Sequence, residues 1–387
     1  MQLELFDDKI PLEDIFTAYY ECRKNKRNKT GALQFEVDLE KNLVELWEEI
    51  NNGTWNPRPS TVFIVEKPVT REIFAAAFRD RIVHHLVIGR LNSLFEKKFI
   101  YDSYSCRKGK GTHFGISRAI KFVRRQETGW VLKLDIRGYF MSINRNILNK
   151  KLEYLINKNY HGYDKKRIKE LCKIIVFNNP ANNCIYHSPL SLWGKLPKDK
   201  SLFTAKKDCG LPIGNLTSQV FANFYLNEFD HFIKKDCGIT EYGRYVDDFI
   251  IVHHSKEFLK KLIPVIQNYL KYNLGLVLHS KKIYLQPCRN GVKFLGSFIK
   301  PSHIVSNHRT VNNFKSALYK FNKLVKNHKP DRDELTSFIS SVNSYLGILK
   351  HYKTYRQRQY IVKKHISPYW YKHINIANIN FVKIIKR

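Results

Sequence analysis

Three aspartates stand where a folded chain rarely places unpaired charge. Asp247 and Asp248 are adjacent in GRYVDDFIIVHH, residues 243–254, and Asp135 lies in LKLDIRGYF, residues 132–140. Both stretches are otherwise largely apolar or aromatic, surroundings in which a carboxylate must be neutralised to be tolerated. An adjacent Asp pair has three uses. It can form a hairpin tip, because Asp accepts unusual backbone angles. It can form an ion pair, with Arg244 close in sequence. It can also hold a hard divalent cation such as Mg2+, which takes one or two carboxylates plus substrate phosphates and turns the repulsion between like carboxylates into attraction. The pair alone favours the turn. The third carboxylate, at the end of a second apolar run, favours metal. Two strands delivering carboxylates to one sheet face would hold two ions about 3.5–4 Å apart, which activate a hydroxyl and stabilise the leaving oxygen of an in-line phosphoryl displacement.

The charge of the whole chain points to the substrate. The 387 residues carry 67 Lys+Arg against 34 Asp+Glu, a formal net charge of +33, with 43% hydrophobic and 13% aromatic residues. This is a globular composition, long enough for two or three subdomains, with a field that recruits polyanions, nucleic acid above all. No apolar run reaches the ~18 residues of a membrane span, since AAAFRDRIVHHLVIGRL is broken by Arg79, Asp80 and Arg81. MQLELFDDKI lacks the basic start and apolar core of a signal peptide. The seven cysteines form no CxxC pair and the fifteen histidines no HExxH spacing. These features imply reduced thiols and a cytoplasmic protein without a zinc cage.

The elements that must position the aspartates follow from periodicity. Residues 11–50 read as helical, with Leu43, Leu46, Trp47 and Ile50 on one face. TVFIVEKP reads as a strand, and REIFAAAFRDRIVHHLVIGRLNSLF as one long helix studded with arginines. SCRKGKGTH, 105–113, is a basic glycine-containing loop. WVLKLDIRGYF is a strand ending near Asp135, followed by helix from Asn144 through Ile175 and irregular chain over 176–210. GLPIGNLTSQ is a turn that opens an amphipathic helix, with Asn215 as N-cap and Gly238 past its end. GRYV and FIIVHH form a hairpin with the aspartates at its tip. LGLVLHSKKIYLQP and GVKFLGSFIK read as further strands, and from 308 the pattern is helical, with one helix expected over Leu335–Tyr360. Residues 335–387 hold ten Lys/Arg, six Tyr and Trp370 but no Asp or Glu. That mixture suits a grip on nucleic acid, and equally a helical bundle with aromatic core and solvated lysines.

YVDD, 245–248, resembles the signature tetrapeptide of reverse transcriptases, and the other pieces come in that family's order. LDIRGYF resembles its first metal motif, GLPIGNLTSQ the turn and helix beneath the template and incoming base, and HSKK with FLG the nucleotide-contact lysine and primer grip. REI…FRDRI and SCRKGKGTH resemble the fingers motifs. The likeness runs from about residue 60 to 300. It implies an α+β right-hand polymerase with an antiparallel palm sheet, helical fingers and helical thumb. The expected divisions are an N-terminal helical extension at 1–60, fingers and palm at 61–300, and a basic thumb at 301–387. Where intron and retron enzymes usually show QGxxxSP, this chain has IGNLTSQ, 213–219. That variant, with SLF, YGRYVDDF and SYLGILKHY, is similar to the reverse transcriptases of diversity-generating retroelements. In that group the enzyme copies a template-repeat RNA into cDNA with errors opposite adenine, usually with a small basic accessory variability protein. A retron-like or phage-defence enzyme, and a non-catalytic RNA-binding scaffold, are the competing readings.

The resemblance assigns roles by residue. Asp135, the Ile136 carbonyl and Asp247 would hold two Mg2+, with Mn2+ as substitute. Asp248 joins them, or tunes the site or pairs with a cation, because neighbouring strand residues point to opposite faces. Phe140 would stand under the sugar and select dNTPs, or simply pack in the core. Arg71, Arg79 and Arg81 are candidates for the triphosphate. On a helix 79 and 81 do not share a face, so at least one is structural. Lys282, or alternatively Lys281, would protonate the leaving group or contact phosphate. Ile213 and Gly214 line the nucleotide, and Phe294, Leu295 and Gly296 form the primer grip. Ile213 cannot make the hydrogen bond that Gln would make there, a difference that bears on base discrimination, or else it packs against the palm helix.

Overall fold

The computed structural model describes residues 9–385 apart from 25, 27, 68, 307 and 378. The stretch MQLELFDD, read above for a leader, lies outside them. Two compact units result among the described residues: those up to 115, 132–251 and 255–284 form the first, and 116–131, 252–254 and those from 285 on the second.

The first unit begins with helices Leu12–Arg23, Thr30–Glu36 and Leu39–Asn52. The last buries Leu43, Leu46 and Ile50 and stops at Gly53, whose φ of +73° closes the helix end. Strands β1 (Ser60–Val65) and β2 (Arg71–Ala75) then pair antiparallel, from Thr61 opposite Ala75 to Val65 opposite Arg71. This corrects the expectation of one long helix from Arg71. REIFA has the alternating burial of a strand, and helix starts only at Phe78, running to Lys98. Tertiary context overrides local propensity here. The β2 residue Glu72 is buried and accepts hydrogen bonds from Trp193 Nε1 (2.7 Å), Ser201 Oγ (2.8 Å) and the Leu202 amide (2.6 Å).

Strand β3 (Trp130–Asp135) ends on the first aspartate. The helical stretch expected over 144–175 is two helices, Arg145–Asn159 and Lys165–Phe177. Asp164 in the break accepts from the Tyr160 hydroxyl at 2.6 Å. Residues 178–210 are mostly irregular, with strand β4 (Cys184–Tyr186) parallel to β1. The amphipathic helix after Gly214 is also interrupted. It runs Leu216–Tyr225, breaks at Leu226, resumes at Asn227–His231 and ends in a wider π turn at Phe232–Asp236. Asn215 holds the N-cap position, but its side chain accepts from the Ala76 amide (3.3 Å) and caps no helix amide. The hairpin of β5 (Tyr242–Tyr245) and β6 (Asp248–His253) follows, and the sheet order is β5–β6–β3. The segment expected as a strand from Leu274 instead makes a single antiparallel bridge, Leu278 with Ile136, then a 3-10 turn at Ser280–Lys282. Strand β7 (Tyr284–Pro287) lies where the chain passes into the second unit.

In the second unit β8 (Val292–Phe294), β9 (Ser297–Ile299) and β10 (Ile304–Ser306) form an antiparallel meander. Three helices, His308–Asn327, Arg332–Leu349 and Tyr355–His365, pack around Phe314, Leu318, Phe338, Val342, Leu346 and Trp370. The Phe338 and Trp370 rings stack at 3.9 Å. The single helix expected over 335–360 is thus two, parted where the Thr354 hydroxyl donates to the Leu349 carbonyl (2.6 Å). Trp370 is core, with Tyr345 and Tyr369 packed against the same cluster, whereas Tyr355, Tyr360 and Tyr371 are exposed. No helix among the described residues is long and apolar enough to cross a membrane, and all seven cysteines are unpaired.

One buried contact docks the arginine-bearing helix on the helix after Gly214. His84 Nδ1 lies 2.6 Å from Thr217 Oγ1, both buried. Burial pushes the His84 imidazole down to about 3, with His85 and Arg81 adding to the effect. The folded chain therefore keeps His84 neutral while the unfolded chain protonates it near its ordinary value. The contribution is intact above about pH 6.5 and is lost as pH falls toward 3, by up to about 1.4 kcal/mol per pH unit. Denaturant unfolding of His84→Gln between pH 6 and 4 should show a shallower pH slope than the parent, whatever its stability at pH 7. Equal slopes would contradict the buried neutral state.

Candidate active site

The three aspartates converge at the ends of β3 and the β5–β6 hairpin. The hairpin turns through Val246 and Asp247, with Tyr245 opposite Asp248. Val246 has φ +55°, a left-handed conformation costly for a β-branched residue. Arg244 supplies the compensation. Its guanidinium and the Asp230 carboxylate are both 0% exposed. Nε donates to Asp230 Oδ1 (2.7 Å), Nη2 to Asp230 Oδ2 (2.5 Å) and the Asn223 carbonyl (3.1 Å), and Nη1 to Asn223 Oδ1 (3.0 Å) and the Val246 carbonyl (2.8 Å). The backbone of Arg244 is held as well, its amide donating to the Asp102 carbonyl (2.9 Å) and its carbonyl accepting from the Tyr104 amide (3.0 Å). Arg244 therefore pairs with Asp230 and fixes the turn that presents Asp247.

The end of β3 is stitched to the chain that carries Lys282. The His279 amide donates to the Asp135 carbonyl (2.8 Å), and the Arg137 amide to the Val277 carbonyl (2.9 Å). Lys282 Nζ then spans Asp135, 3.1 Å from Oδ1 and 3.0 Å from Oδ2. The exposed Lys281 makes no such contact. Lys133 Nζ lies 3.3 Å from Asp248 Oδ1, although no well-directed hydrogen bond reaches that buried oxygen. Burial pushes the Asp247 carboxyl up to about 6, and the neighbouring Asp135 charge adds to it. Burial pushes Asp248 up to about 7 against the opposing pull of Lys133. Among the described residues no three His, Cys, Asp or Glu side chains are gathered into a ready metal cage.

The other expected residues divide. Arg71, exposed on β2, acts electrostatically on Asp247. Arg79 is buried against Glu49, and Arg81 Nε donates to the Ala76 carbonyl (2.8 Å). Each thus holds a contact within the fold, and neither is among the cations acting on the aspartates. Phe140 and Ile213 are half-buried against one cluster of Val62, Phe74, Met141 and Leu202. The Ile213 carbonyl accepts from the Phe74 amide (2.8 Å). Gly214 has φ +129°, and a Cβ there would lie 2.7 Å from the Phe74 carbonyl oxygen, so only glycine lets this turn lie against β2. Ile136 is buried and bridges to Leu278. In the second unit Phe294 ends β8, and Leu295 (φ +49°) and Gly296 (φ +78°) form the two-residue turn into β9.

Lys133, Arg244, Asp230 and Asn223 were not singled out as a functional set by sequence. Lys133 was legible, since it sits two residues before Asp135 and so on the same strand face. Asp230 and Asn223 carry no local signal, because their partner lies across the fold.

Residues 66–299 match the model of the reverse transcriptase (RNA-dependent DNA polymerase) family, and the chain belongs to that family. The right-hand architecture with an antiparallel palm sheet is that family's fold. It is 25% identical over 310 residues to Protein YkfC of Escherichia coli K12, covering 70% of this chain and 73% of that protein. It is 24% identical over 230 residues to the group II intron-encoded protein LtrA of Lactococcus lactis subsp. cremoris, covering 56% of this chain and 33% of LtrA. The chain thus spans about a third of LtrA. Among solved structures it is similar to apo telomerase from Candida tropicalis, with TM-score 0.47 and 14% identity over 94% of this chain and 75% of that one.

Removing Arg244 leaves the buried Asp230 carboxylate uncompensated and frees the Val246 carbonyl. Arg244→Met should lower stability by about 3–5 kcal/mol in denaturant unfolding. Arg244→Lys, which keeps charge but loses the fork, should fold with reduced stability. A loss below ~1 kcal/mol for Arg244→Met would contradict the anchoring role, this being the size of an exposed pair.

Proposed function

We propose that this chain copies an RNA template into DNA with error-prone synthesis opposite adenine, as a diversity-generating reverse transcriptase. The observation that carries the finer reading is Ile213. It is an apolar side chain on the turn against β2, half-buried against the same cluster as Phe140, where related motifs have a hydrogen-bonding Gln. The group II intron-encoded relative supports a second reading, a faithful reverse transcriptase of another kind. In either case residues 61–300 would act as fingers and palm, 301–387 as thumb and 1–60 as an N-terminal extension. Template RNA, cDNA and dNTPs would be the ligands, with a small basic accessory protein as partner in the first reading and a cytoplasmic setting in both.

The residues fit a divalent metal pair. Two carboxyls are pushed up by burial, one of their oxygens lacks a directed hydrogen bond, and lysines occupy the counter-charge positions. Mg2+ suits such a site because it is usually held by one or two carboxylates plus substrate phosphates. Asp135, Asp247 and the Ile136 carbonyl would hold two Mg2+, or Mn2+, with Asp248 beside them. When bound, the ions would activate the primer hydroxyl and stabilise the leaving pyrophosphate. Arg71 would attract the triphosphate, Phe140 would exclude a 2′-hydroxyl, and Lys282 would leave Asp135 to protonate or contact the departing phosphate.

Primer extension on RNA with sequenced products tests the function. Asp247→Ala should abolish cDNA, and the parent should misincorporate chiefly opposite adenine, less so in Ile213→Gln. Faithful parental cDNA would favour the second reading, and identical error spectra would remove Ile213 from the account. Lys282→Gln should slow single-turnover incorporation by roughly 10²-fold. Without nucleotide it should bind Mn2+ more tightly in spin-resonance titration, because the competing ammonium is gone. Unchanged Mn2+ affinity would mean that Lys282 does not guard Asp135.

A further inference from the structure

The helices Arg145–Asn159 and Lys165–Phe177 carry a charged face that the catalytic site does not use. Their inner faces bury Leu148, Leu152, Leu155 and Ile156 on one and Ile168, Leu171, Cys172, Ile175 and Val176 on the other. Residues 145–177 hold nine Lys/Arg against three Asp/Glu. Four of the nine charges are spoken for or hold other partners. Arg145 is buried on the Gly210 carbonyl, Lys151 pairs with Glu228, Arg167 pairs with Glu170, and Lys166 has partners of its own. The remaining five, Lys150, Lys158, Lys165, Lys169 and Lys173, form no ion pair among the described residues. Asn157 joins the two helices on this side, its carbonyl accepting from Lys165 Nζ (2.8 Å) and its Oδ1 from Lys169 Nζ (3.4 Å). Asn157 thus sets Lys165 and Lys169 against the end of the first helix, on which Lys150 and Lys158 lie about two turns apart. Lys165, Lys169 and Lys173 follow at four-residue intervals, a rise of about 6 Å each. Tyr154 on the first helix is 65% exposed and Tyr163 in the turn between the helices 54%, and Lys158 Nζ sits 5.5 Å over the Tyr154 ring. The cations that act on the catalytic aspartates are Lys133, Lys282 and Arg71, none of them from this surface.

We propose that this two-helix lysine–tyrosine surface binds the phosphate backbone of a folded part of the RNA, outside the stretch being copied. Uncompensated lysines in rows gain by releasing counterions from a polyanion. A surface of helix exteriors offers no slot for a base edge, so it engages backbone and shape, which is how folded RNA is commonly recognised. The exposed tyrosines add ring faces for sugars or unpaired bases. The inference rests on the RNA-copying reading and makes the chain hold its RNA at a second place.

The test replaces Lys150, Lys158, Lys169 and Lys173 by Gln together. A control variant replaces the exposed Lys235, Lys260, Lys261 and Lys271 by Gln, removing the same charge elsewhere. Fluorescence anisotropy would follow a long hairpin-bearing RNA and a short RNA–DNA template–primer across a salt series. For the long RNA the first variant should lose at least tenfold in affinity, and its log K against log salt slope should flatten by about three to four, near one per lysine. Its affinity for the short duplex, and single-nucleotide incorporation on it, should match the parent. Equal losses in the control would reduce the effect to general charge and overturn the proposal. So would unchanged affinity for the long RNA, which would leave the surface to another partner such as an acidic protein segment. Absence of incorporation by the parent would instead refute the polymerase reading, while the binding comparison would still stand on its own.

Discussion

A fully buried arginine–aspartate pair sets the geometry on which the site depends. Arg244 and Asp230 satisfy each other with no exposure to solvent, and the spare donors of the guanidinium reach the Asn223 amide group and the Val246 carbonyl. One residue thereby links the helix break near Leu226, the β5 strand and the hairpin tip. A charge pair in this position is not the most stabilising choice, because apolar replacements of similar volume often match it. What it provides is direction. Five planar donors fix where the turn must go, and they hold Val246 in a conformation that it would otherwise avoid. Asp247 is aimed as a consequence.

Around that fixed tip the charges are arranged to be exchanged. Lys282 rests on Asp135 and Lys133 on Asp248, so two of the three carboxylates have a lysine against them. Asp247 forms no ion pair among the described residues and carries the combined penalty of burial and of the Asp135 charge, against a weaker pull from Lys282 and Arg71. Asp135, Asp247 and Asp248 would hold a divalent cation here, which would offset the charge at Asp247, and Lys282 would then be free to meet the phosphates of an incoming nucleotide. Metal and nucleotide would thus favour each other through one mobile ammonium group.

Much of this was legible in the sequence, and the misses share a cause. The β3 strand ending at Asp135, the β5–β6 hairpin and the Pro/Gly turn before Leu216 follow from local pattern and turn chemistry. The clustering of Asp135 with Asp247 and Asp248 was readable because carboxylates in apolar strands violate the usual rule. Local pattern failed where a distant partner decided the outcome. REIFA became a strand because β1 pairs with it and the 193–202 loop caps Glu72. Of the three arginine candidates for the triphosphate, of which at least one of Arg79 and Arg81 was expected to be structural, Arg79 is paired with Glu49 of the N-terminal helices, a partner that local pattern does not show. Asn215 was read correctly as an N-cap by position, yet its side chain serves the Ala76 amide. Helices over 144–175, 216–237 and 335–360 were read as continuous because a hydrophobic period does not register a short break.

The central claim is that the hairpin and the end of β3 together make a two-ion site. Counting Mn2+ by spin resonance tests it most directly, in a complex of the chain with an RNA template, a DNA primer and an unreactive dNTP analogue. Two magnetically coupled ions per chain are predicted, with the coupling lost in Asp247→Asn. A single uncoupled ion, or the same count in Asp247→Asn, would contradict the account.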